Sequence, residues 1–469
     1  MAYVVERPSY HDKEGIIELC SKIWDGNDYI PYLLDKWLNR TDPFLIVRDS
    51  QNGKVCAINH ATIFNDVAYG EGLRVHVDYR GKGLAKLCSK EIMREVLKRG
   101  VREYMALIFS QTSDSMHLSE KAFFEKVNGY YLLEKEVDQT RKTPDTTGYI
   151  NVRPIFPEEI SRCKEVFNQL LFATNGAVVD AWTYYPSTEF LTDKYLFECP
   201  EGKMIAGVHE HENEIFSVCL YTQPGDWIEK MIPLLERYAT HYGCEVVSVA
   251  IPFSLKDWTD DFLNWGFTTL WGNGELSLEE STAFLYSLNR AKMDQIILPE
   301  QMGKRQVPSN YYRCKSRCKY GFSQVIESFP LKKAEPFPTT YYLVCPHLRY
   351  HLSKLEEAGA ISVLDQLKQT AQYQEVDSYY AKERNDRLNH SLVNYEEIKE
   401  RFSEALNLGI GGIKHQKGIK CLHLHVATYL SGLDDPVGTQ AIRLLEENGT
   451  KISCDEMDCF KYFEAHYMR

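Results

Sequence analysis

The stretch from Glu71 to Gly100, EGLRVHVDYRGKGLAKLCSKEIMREVLKRG, constrains the fold more than any other. Its first third alternates, with Leu73, Val75 and Val77 on one face and Arg74, His76 and Asp78 on the other, which predicts a strand. Leu84, Leu87, Ile92, Val96 and Leu97 then recur at helical spacing between lysines, arginines and glutamates. Gly100 is suited to cap that helix at its C-terminus. The join between strand and helix, Arg80-Gly81-Lys82-Gly83-Leu84-Ala85, carries two glycines. Without a Cβ the backbone can approach a bulky anion closely. The first-turn N–H groups of the helix have no partner within it, and the helix dipole lies behind them. The turn therefore reads as a diphosphate cradle with Arg80 and Lys82 at its rim. It fits neither the P-loop nor the dinucleotide fingerprint.

This stretch closely resembles motif A of the GCN5-related N-acetyltransferases, Gln/Arg-x-x-Gly-x-Gly/Ala, with Arg80, Gly83 and Ala85 at the matching positions. The resemblance implies acetyl-CoA as cosubstrate. Its diphosphate would be held by the backbone from Arg80 through Gly81, Lys82, Gly83, Leu84 and Ala85 to Lys86, and its pantetheine arm would lie along Leu73, Arg74 and Val75.

Flanking segments extend the pattern. Tyr3–Pro8 reads as an edge strand and Asp12–Trp24 as an amphipathic helix. Phe44–Val47 and Val55–Ile58 are short strands about the turn Gln51-Asn52-Gly53. Tyr104–Phe109 is a strand, Ser119–Lys126 a helix ended by Asn128-Gly129, and Tyr130–Glu134 a strand. The resulting order, β-α-(α)-β-β-β-α-β-α-β, is the acetyltransferase order. Asp25-Gly26-Asn27-Asp28-Tyr29-Ile30-Pro31 followed by Trp37-Leu38 resembles the histidine N-acetyltransferase branch, in which this region walls the acceptor site.

Acetyl transfer to an amine needs a neutral amine, a polarised carbonyl and a route for a proton. Glu71 is the expected base, with His76 as a second candidate and the Val75 backbone N–H as the oxyanion donor. Many relatives carry a tyrosine as general acid before a Glu-Lys-x-Gly-Phe segment. Here Phe123-Phe124 precedes Glu125-Lys126-Val127-Asn128-Gly129-Tyr130, so only Tyr130 or Tyr131 is left nearby to substitute. Water can also protonate a thiolate leaving near its own pKa.

Residues 1–140 form the expected acetyltransferase domain, and 145–295 resemble a degenerate second copy. Asn151-Val152-Arg153-Pro154 echoes Val5-Glu6-Arg7-Pro8, and strands Ile215–Leu220 and Val246–Ile251 flank helix Trp227–Tyr242. The turn Gln223-Pro224-Gly225-Asp226 lacks the arginine and the second glycine, so this half is not expected to bind coenzyme. Residues 305–469 change character. Tyr312–Phe322, Pro336–Pro346, Leu355–Gly359, Leu408–Ile413, Lys420–Ala427 and Asp435–Gly438 together resemble the bacterial domain of unknown function five hundred and one. The fold class is thus α/β: tandem acetyltransferase-like mixed sheets flanked by helices, plus a C-terminal α+β domain.

In that last domain Cys421, His423 and His425 alternate. All three would share one face of a strand, but only Cys421 and His425 one face of a helix. Cys345 and His347, or Cys314 and Cys318, would complete a tetrahedral set, but the spacing matches no standard zinc motif and no metal is expected. The basic run Arg313, Lys315, Arg317 and Lys319 reads as a solvated loop.

The net charge of −12 over 469 residues argues against nucleic acid or anionic membrane as a general partner. No apolar run is long enough to span a bilayer, the N-terminus is no signal peptide, and the odd count of 13 cysteines suits reduced thiols in the cytoplasm. The expected activity is acetyl-CoA-dependent N-acetylation of a small amine, with a free amino acid such as histidine as acceptor. The rivals are a fused metal-dependent enzyme in the third domain and a non-catalytic acyl-CoA sensor carrying an interaction module.

Overall fold

The computed structural model describes residues 3–23, 26–138, 149–210, 212, 214–270, 275–333, 335–391, 395–412 and 418–467. Trp24, Asp25 and Ile413, which belong to segments named above, lie outside them. The chain divides into two compact units, Met1–Val96 with Val101–Asn289, and Leu97–Gly100 with Arg290–Arg469.

The first unit opens with β1 (Tyr3–Glu6), α1 (Lys13–Cys20), α2 (Ile30–Asn39), β2 (Phe44–Asp49), β3 (Val55–Phe64) and β4 (Val67–Val75). It continues with α3 (Leu84–Lys98), β5 (Glu103–Phe109), α4 (Ser113–Lys121) and β6 (Glu125–Glu136). The order is the one read from the sequence. A second series follows: β7 (Asn151–Ile155), α5 (Pro157–Arg162), α6 (Asn168–Ala173), the hairpin β8 (Val178–Asp180) and β9 (Thr183–Tyr185), then β10 (Lys194–Glu198), β11 (Lys203–Val208) and β12 (Ile215–Tyr221). It ends with α7 (Trp227–His241), β13 (Val246–Pro252), α8 (Trp258–Asn264), β14 (Thr268–Thr269) and β15 (Thr282–Asn289).

Both series share one 13-stranded sheet, in the order β1-β2-β3-β4-β5-β15-β6-β13-β12-β11-β10-β7, with β14 paired to β6. The last strand of the second series is therefore inserted between two strands of the first. It pairs antiparallel with β5 from Ala283↔Phe109 to Asn289↔Glu103, and with β6 from Thr282↔Tyr131 to Ser287↔Glu125. Pairing on both edges buries residues of either face, and Ala283, Leu285, Tyr286 and Leu288 are all buried.

That insertion explains the largest departure from expectation. The helix expected over Ser119–Lys126 lies earlier, at Ser113–Lys121, and Glu125–Gly129 is already strand. Phe123 takes a left-handed φ of 66°, which ends the helix, and β15 supplies ladder partners to Lys126 and Asn128. Gly129 lies inside β6, where a Cβ would come 2.4 Å from the Phe253 ring.

The central element also departs in one detail. β4 stops at Val75, and Val77 sits in a separate 3₁₀ turn, exposed to solvent. Its register against β3 runs from Ile58↔Arg74 to His60↔Glu71, so Gly72 and Leu73 oppose Asn59 alone and form a bulge. Gly72 adopts φ +70°, and a Cβ on it would lie 2.6 Å from Trp37. Trp37 arrives there because Ile30, Leu33, Leu34 and Trp37 line the buried face of α2.

The second unit contains α9 (Arg290–Met302), β16 (Tyr311–Arg317), β17 (Ser323–Ser328), the short hairpin β18 (Leu331–Lys332) and β19 (Glu335–Pro336), and β20 (Tyr341–Leu343). Then follow α10 (Pro346–Glu357), α11 (Ala360–Leu364), α12 (Ala371–Ser391), α13 (Tyr395–Leu406), α14 (Leu422–Leu430), α15 (Pro436–Glu447) and α16 (Phe460–Tyr467). Its three-stranded sheet β16-β17-β20 shares a core with α10, α12, α14 and α15. Arg313, Lys315 and Arg317 of the basic run are not in a solvated loop but in β16, while Lys319 is exposed in the turn that follows. Arg313 Nε donates to Glu327 Oε2 at 2.7 Å, and Arg317 Nη2 to Asp294 Oδ2 at 2.6 Å. Arg384 is fully buried, and its two terminal nitrogens donate to the carbonyl oxygens of Leu406, Leu408 and Pro338.

Candidate active site

The site is built on β4. Beside it, β5 runs parallel, but their pairing covers only Val67↔Glu103 to Tyr69↔Met105. From Gly70 onward the two strands separate while β4 continues to Val75. Leu73, Arg74 and Val75 thus lie beyond the last paired residues. Opposite the start of the opening, the Tyr104 ring packs against Gly70, where a Cβ would come 2.7 Å from its hydroxyl.

Past the opening comes the glycine turn. Gly81 and Gly83 adopt φ +74° and +75°, which explains why glycine is needed, and a Cβ built on either meets nothing within 4 Å. Arg80, Gly81, Lys82 and Gly83 are exposed, Leu84 is buried, and Ala85 and Lys86 are half-buried. Lys82 Nζ lies over the Tyr79 ring, 4.3 Å from its centroid. The Gly83 carbonyl accepts from Leu87 N–H at 3.0 Å, so α3 begins at the second glycine, and its first-turn amides have no partner within the helix. Those features fit the diphosphate of a coenzyme A thioester.

Glu71 is buried rather than solvated. Its Oε1 accepts from Thr62 Oγ1 at 2.6 Å and lies 3.1 Å from His60 Nδ1. His60 is fully buried and stacked on Trp37, with centroids 4.1 Å apart and planes 6° from parallel. The imidazole plane is therefore held by packing, and it holds the carboxyl in turn. The sequence reading did not single out His60 or Thr62. Their signal is two polar residues two apart within the apolar run VCAINHATIF, hence on one face of a strand.

Arg74 turns its guanidinium to Asp28, with Nε to Oδ2 at 2.8 Å and Nη2 to Oδ1 at 3.1 Å, and lies 5.3 Å from the Tyr29 ring centroid. The segment expected to wall the acceptor site thus packs on β4 through Asp28, Tyr29, Ile30 and Trp37. His76 is buried and accepts from Asp78 N–H at 3.2 Å, capping the 3₁₀ turn. Tyr130 is buried, its hydroxyl accepting from Asn128 at 3.4 Å, and Tyr131 is buried on the same strand.

Glu71, Thr62 and Tyr69 line a cavity of about 340 Å³, together with Arg40, Asp42, Ile63 and Phe64. Its remaining wall comes from the second series of elements, chiefly Thr183, Tyr185, Glu189, Phe190 and Glu210. Phe64 packs against both Phe190 and Tyr185 with the rings tilted, centroids 4.8 and 5.6 Å apart. Glu210 accepts from Tyr185 Oη at 2.9 Å and pairs with Lys36. Nearby, burial together with Glu214 and Asp28 raises the Glu212 carboxyl to about 7, opposed by Arg74. No short-range signal marks the residues of this wall, because they reach the cavity from over a hundred residues away.

Residues 14–130 match the model of the acetyltransferase (GNAT) family. The chain carries a GNAT domain. Residues 314–443 match a second model, the protein of unknown function DUF501. No curated protein matches the chain. Among solved structures, a GCN5-related N-acetyltransferase from Sphaerobacter thermophilus is 14% identical, with TM-score 0.41, covering 61% of this chain and 96% of that one. A tandem GNAT protein from the clavulanic acid biosynthesis pathway is 11% identical, with TM-score 0.40 and coverage of 61% and 98%. A PaiA N-acetyltransferase from Thermoplasma acidophilum in complex with coenzyme A is 20% identical, with TM-score 0.25 and coverage of 27% and 92%. These are distant likenesses.

The second series of elements contains a counterpart to the opening between β4 and β5. β12 and β13 pair in parallel from Ile215↔Val246 to Val218↔Val249 and then separate. There the buried Tyr221 hydroxyl donates across the gap to the Ala250 carbonyl at 2.8 Å. Asp226 stands at the head of α7, and a Cβ on Gly202 would come 2.2 Å from the Trp227 ring.

In the second unit, Cys421, His423 and His425 lie at the start of a helix, not on a strand. His425 is buried and turned to Asp435, with Nδ1 to Oδ2 at 2.8 Å. Cys345 caps α10 and does not join Cys421 and His423. Among the described residues, no helix is long and apolar enough to cross a membrane.

Proposed function

We propose that the protein is an acetyl-CoA-dependent N-acetyltransferase of a small amine, with residues 1–140 as the catalytic half and 145–295 as the half that walls the acceptor site. The carrying observation is Glu71. It is a buried carboxyl held by Thr62 and His60 in the lining of a cavity, on the same strand that leads into the open glycine turn. The blocked opening in the second series, crossed by Tyr221, supports one coenzyme site per chain.

In this reading Glu71 takes the proton of the acceptor ammonium, directly or through one water, leaving an amine lone pair free to attack the thioester carbonyl. The strand N–H at Val75 donates to the carbonyl oxygen as charge builds on it. Collapse forms the amide C–N bond, breaks the C–S bond, and leaves a thiolate that is protonated from water.

The cavity favours an acceptor with a cationic end and a flat body. Asp42, Glu189 and Glu210 supply acidic groups, Phe64, Tyr185 and Phe190 supply ring faces, and Arg40 offers a partner for one carboxylate. A free amino acid with a planar side chain meets these requirements, and histidine is the first to test. The experiment is thiol release from acetyl-CoA by purified protein against free amino acids, di- and polyamines and short peptides. Turnover with an amino acid supports the reading. Coenzyme binding without turnover on any of them favours the acyl-CoA sensor.

A further inference from the structure

The DUF501 segment holds a three-ligand constellation that the sequence spacing does not reveal. Glu356, in the last turn of α10, meets Cys421 and His423 at the head of α14. One ligand atom from each lies within 4.8 Å of the others, and all three residues are half-buried. A carboxyl oxygen, an imidazole nitrogen and a sulfur converging in this way are the donor types that bind zinc-class cations.

The environment of His423 is a second observation pointing the same way. Its Nδ1 lies 3.0 Å from Glu356 Oε1 and its Nε2 lies 3.2 Å from the Arg349 carbonyl oxygen, with the Ser353 hydroxyl 3.4 Å from Nε2. Both nearest neighbours are acceptors without a proton to give. A neutral imidazole has one N–H, so it satisfies one of them and turns a lone pair toward the other. A cation bound at Nδ1 removes the conflict. The ring N–H is then Nε2–H, donating to the Arg349 carbonyl, the usual outer contact of a metal-bound histidine. Glu356 is oriented as well, because its Oε1 accepts from Leu422 N–H at 2.5 Å.

We propose that Cys421 Sγ, His423 Nδ1 and Glu356 form a binding site for a divalent cation of the zinc class, with a fourth coordination position left for water or an added ligand. His425 and Cys345 are not part of it, since His425 is committed to Asp435 and Cys345 does not join the cluster. Mixed three-residue sets with one position open are characteristic of sites where the ion acts on a bound molecule, while closed four-residue sets are structural. The site thus assigns the DUF501 segment a ligand of its own, independent of acetyl transfer.

The test uses the full chain, stripped with a chelator and titrated with Co²⁺ and then Zn²⁺. The expected result is one Co²⁺ per chain with a sulfur-to-cobalt charge-transfer band, displaced by stoichiometric Zn²⁺. Cys421→Ser should lose the band, and His423→Gln should weaken binding by at least tenfold, while Cys318→Ser leaves both unchanged. Because the chain has 13 cysteines, the Cys421 variant decides which thiol is bound. Should Cys421→Ser fail to fold, judged by circular dichroism, His423→Gln and Glu356→Gln carry the test. The proposal is overturned if the band survives in Cys421→Ser, if the folded His423 and Glu356 variants bind as the parent does, or if no stoichiometric ion binds.

Discussion

Replacing Gly83 tests the cradle directly, because its backbone geometry separates two costs. At φ +75° any L-residue pays roughly 1–2 kcal/mol relative to glycine. Open space around the built Cβ means no steric cost is added. Gly83→Ala should therefore destabilise the folded chain by about 1 kcal/mol, a fall in Tm of about 2–4 °C for a unit of this size. Gly83→Glu pays the same conformational cost and also places a carboxylate beside the bound diphosphate. Two unit charges about 5 Å apart, at an effective dielectric of about 20, repel by about 3 kcal/mol, or over a hundredfold in affinity. Gly176 is the control, since it has φ +81° and no neighbour within 4 Å, and lies outside the cradle. Calorimetric titration with coenzyme A and thermal unfolding would be run on Gly83→Ala, Gly83→Glu and Gly176→Glu. The expected pattern is a similar Tm loss in all three, with affinity lost only in Gly83→Glu. Unchanged affinity in folded Gly83→Glu would refute the cradle, as would an equal loss in Gly176→Glu.

Other predictions follow from the same structure. Glu71→Gln should lower kcat about 10²-fold at neutral pH and progressively less toward the pKa of the acceptor amine, because a neutral amine needs no base; a flat pH profile of the deficit would remove Glu71 from proton transfer. Lys194→Met should cost about 3–5 kcal/mol in chemical denaturation, since it strands Asp180, whose carboxyl the buried Lys194 partner at 2.8 Å holds below its usual range against desolvation. Asp180's share of that pair is present above the ordinary aspartate range and lost as pH falls through its lowered value. The deficit should therefore shrink as pH falls below the ordinary aspartate value of 3.8, and adding Asp180→Asn should recover part of it. Glu212 has the opposite sign. Its rise from 4.5 to about 7 means the folded chain keeps a proton that the unfolded chain releases, so stability falls as pH rises across that interval. Glu212→Gln should abolish that slope, which amounts to at most about 3 kcal/mol, and an unchanged slope would show Glu212 to be solvated.

The strand, glycine turn and helix proposed to hold the coenzyme were legible as elements because their parts are neighbours in the chain. Alternation through Leu73 and Val75, two glycines at +74° and +75°, and a periodic run from Leu84 are all local preferences set within a few residues. The element order of residues 1–140 was readable for the same reason. What could not be read depended on pairing across distance. Residues Glu125–Gly129 look like the end of a helix, yet they are strand because β15, more than 150 residues later, offers them a ladder. Glu71 was visible as a carboxyl on a strand, but its burial, its bonds to Thr62 and His60, and the wall from Thr183 to Glu210 exist only once β3, α2 and the second series close around it. In the second unit, alternation joined Cys421, His423 and His425, whereas a helix separates them and brings Glu356 in place of His425. Sequence alone settled what each short segment prefers, because backbone sterics and side-chain periodicity act over a few bonds. Tertiary structure decided which polar groups meet, because burying a carboxyl or a histidine requires partners that only distant segments supply.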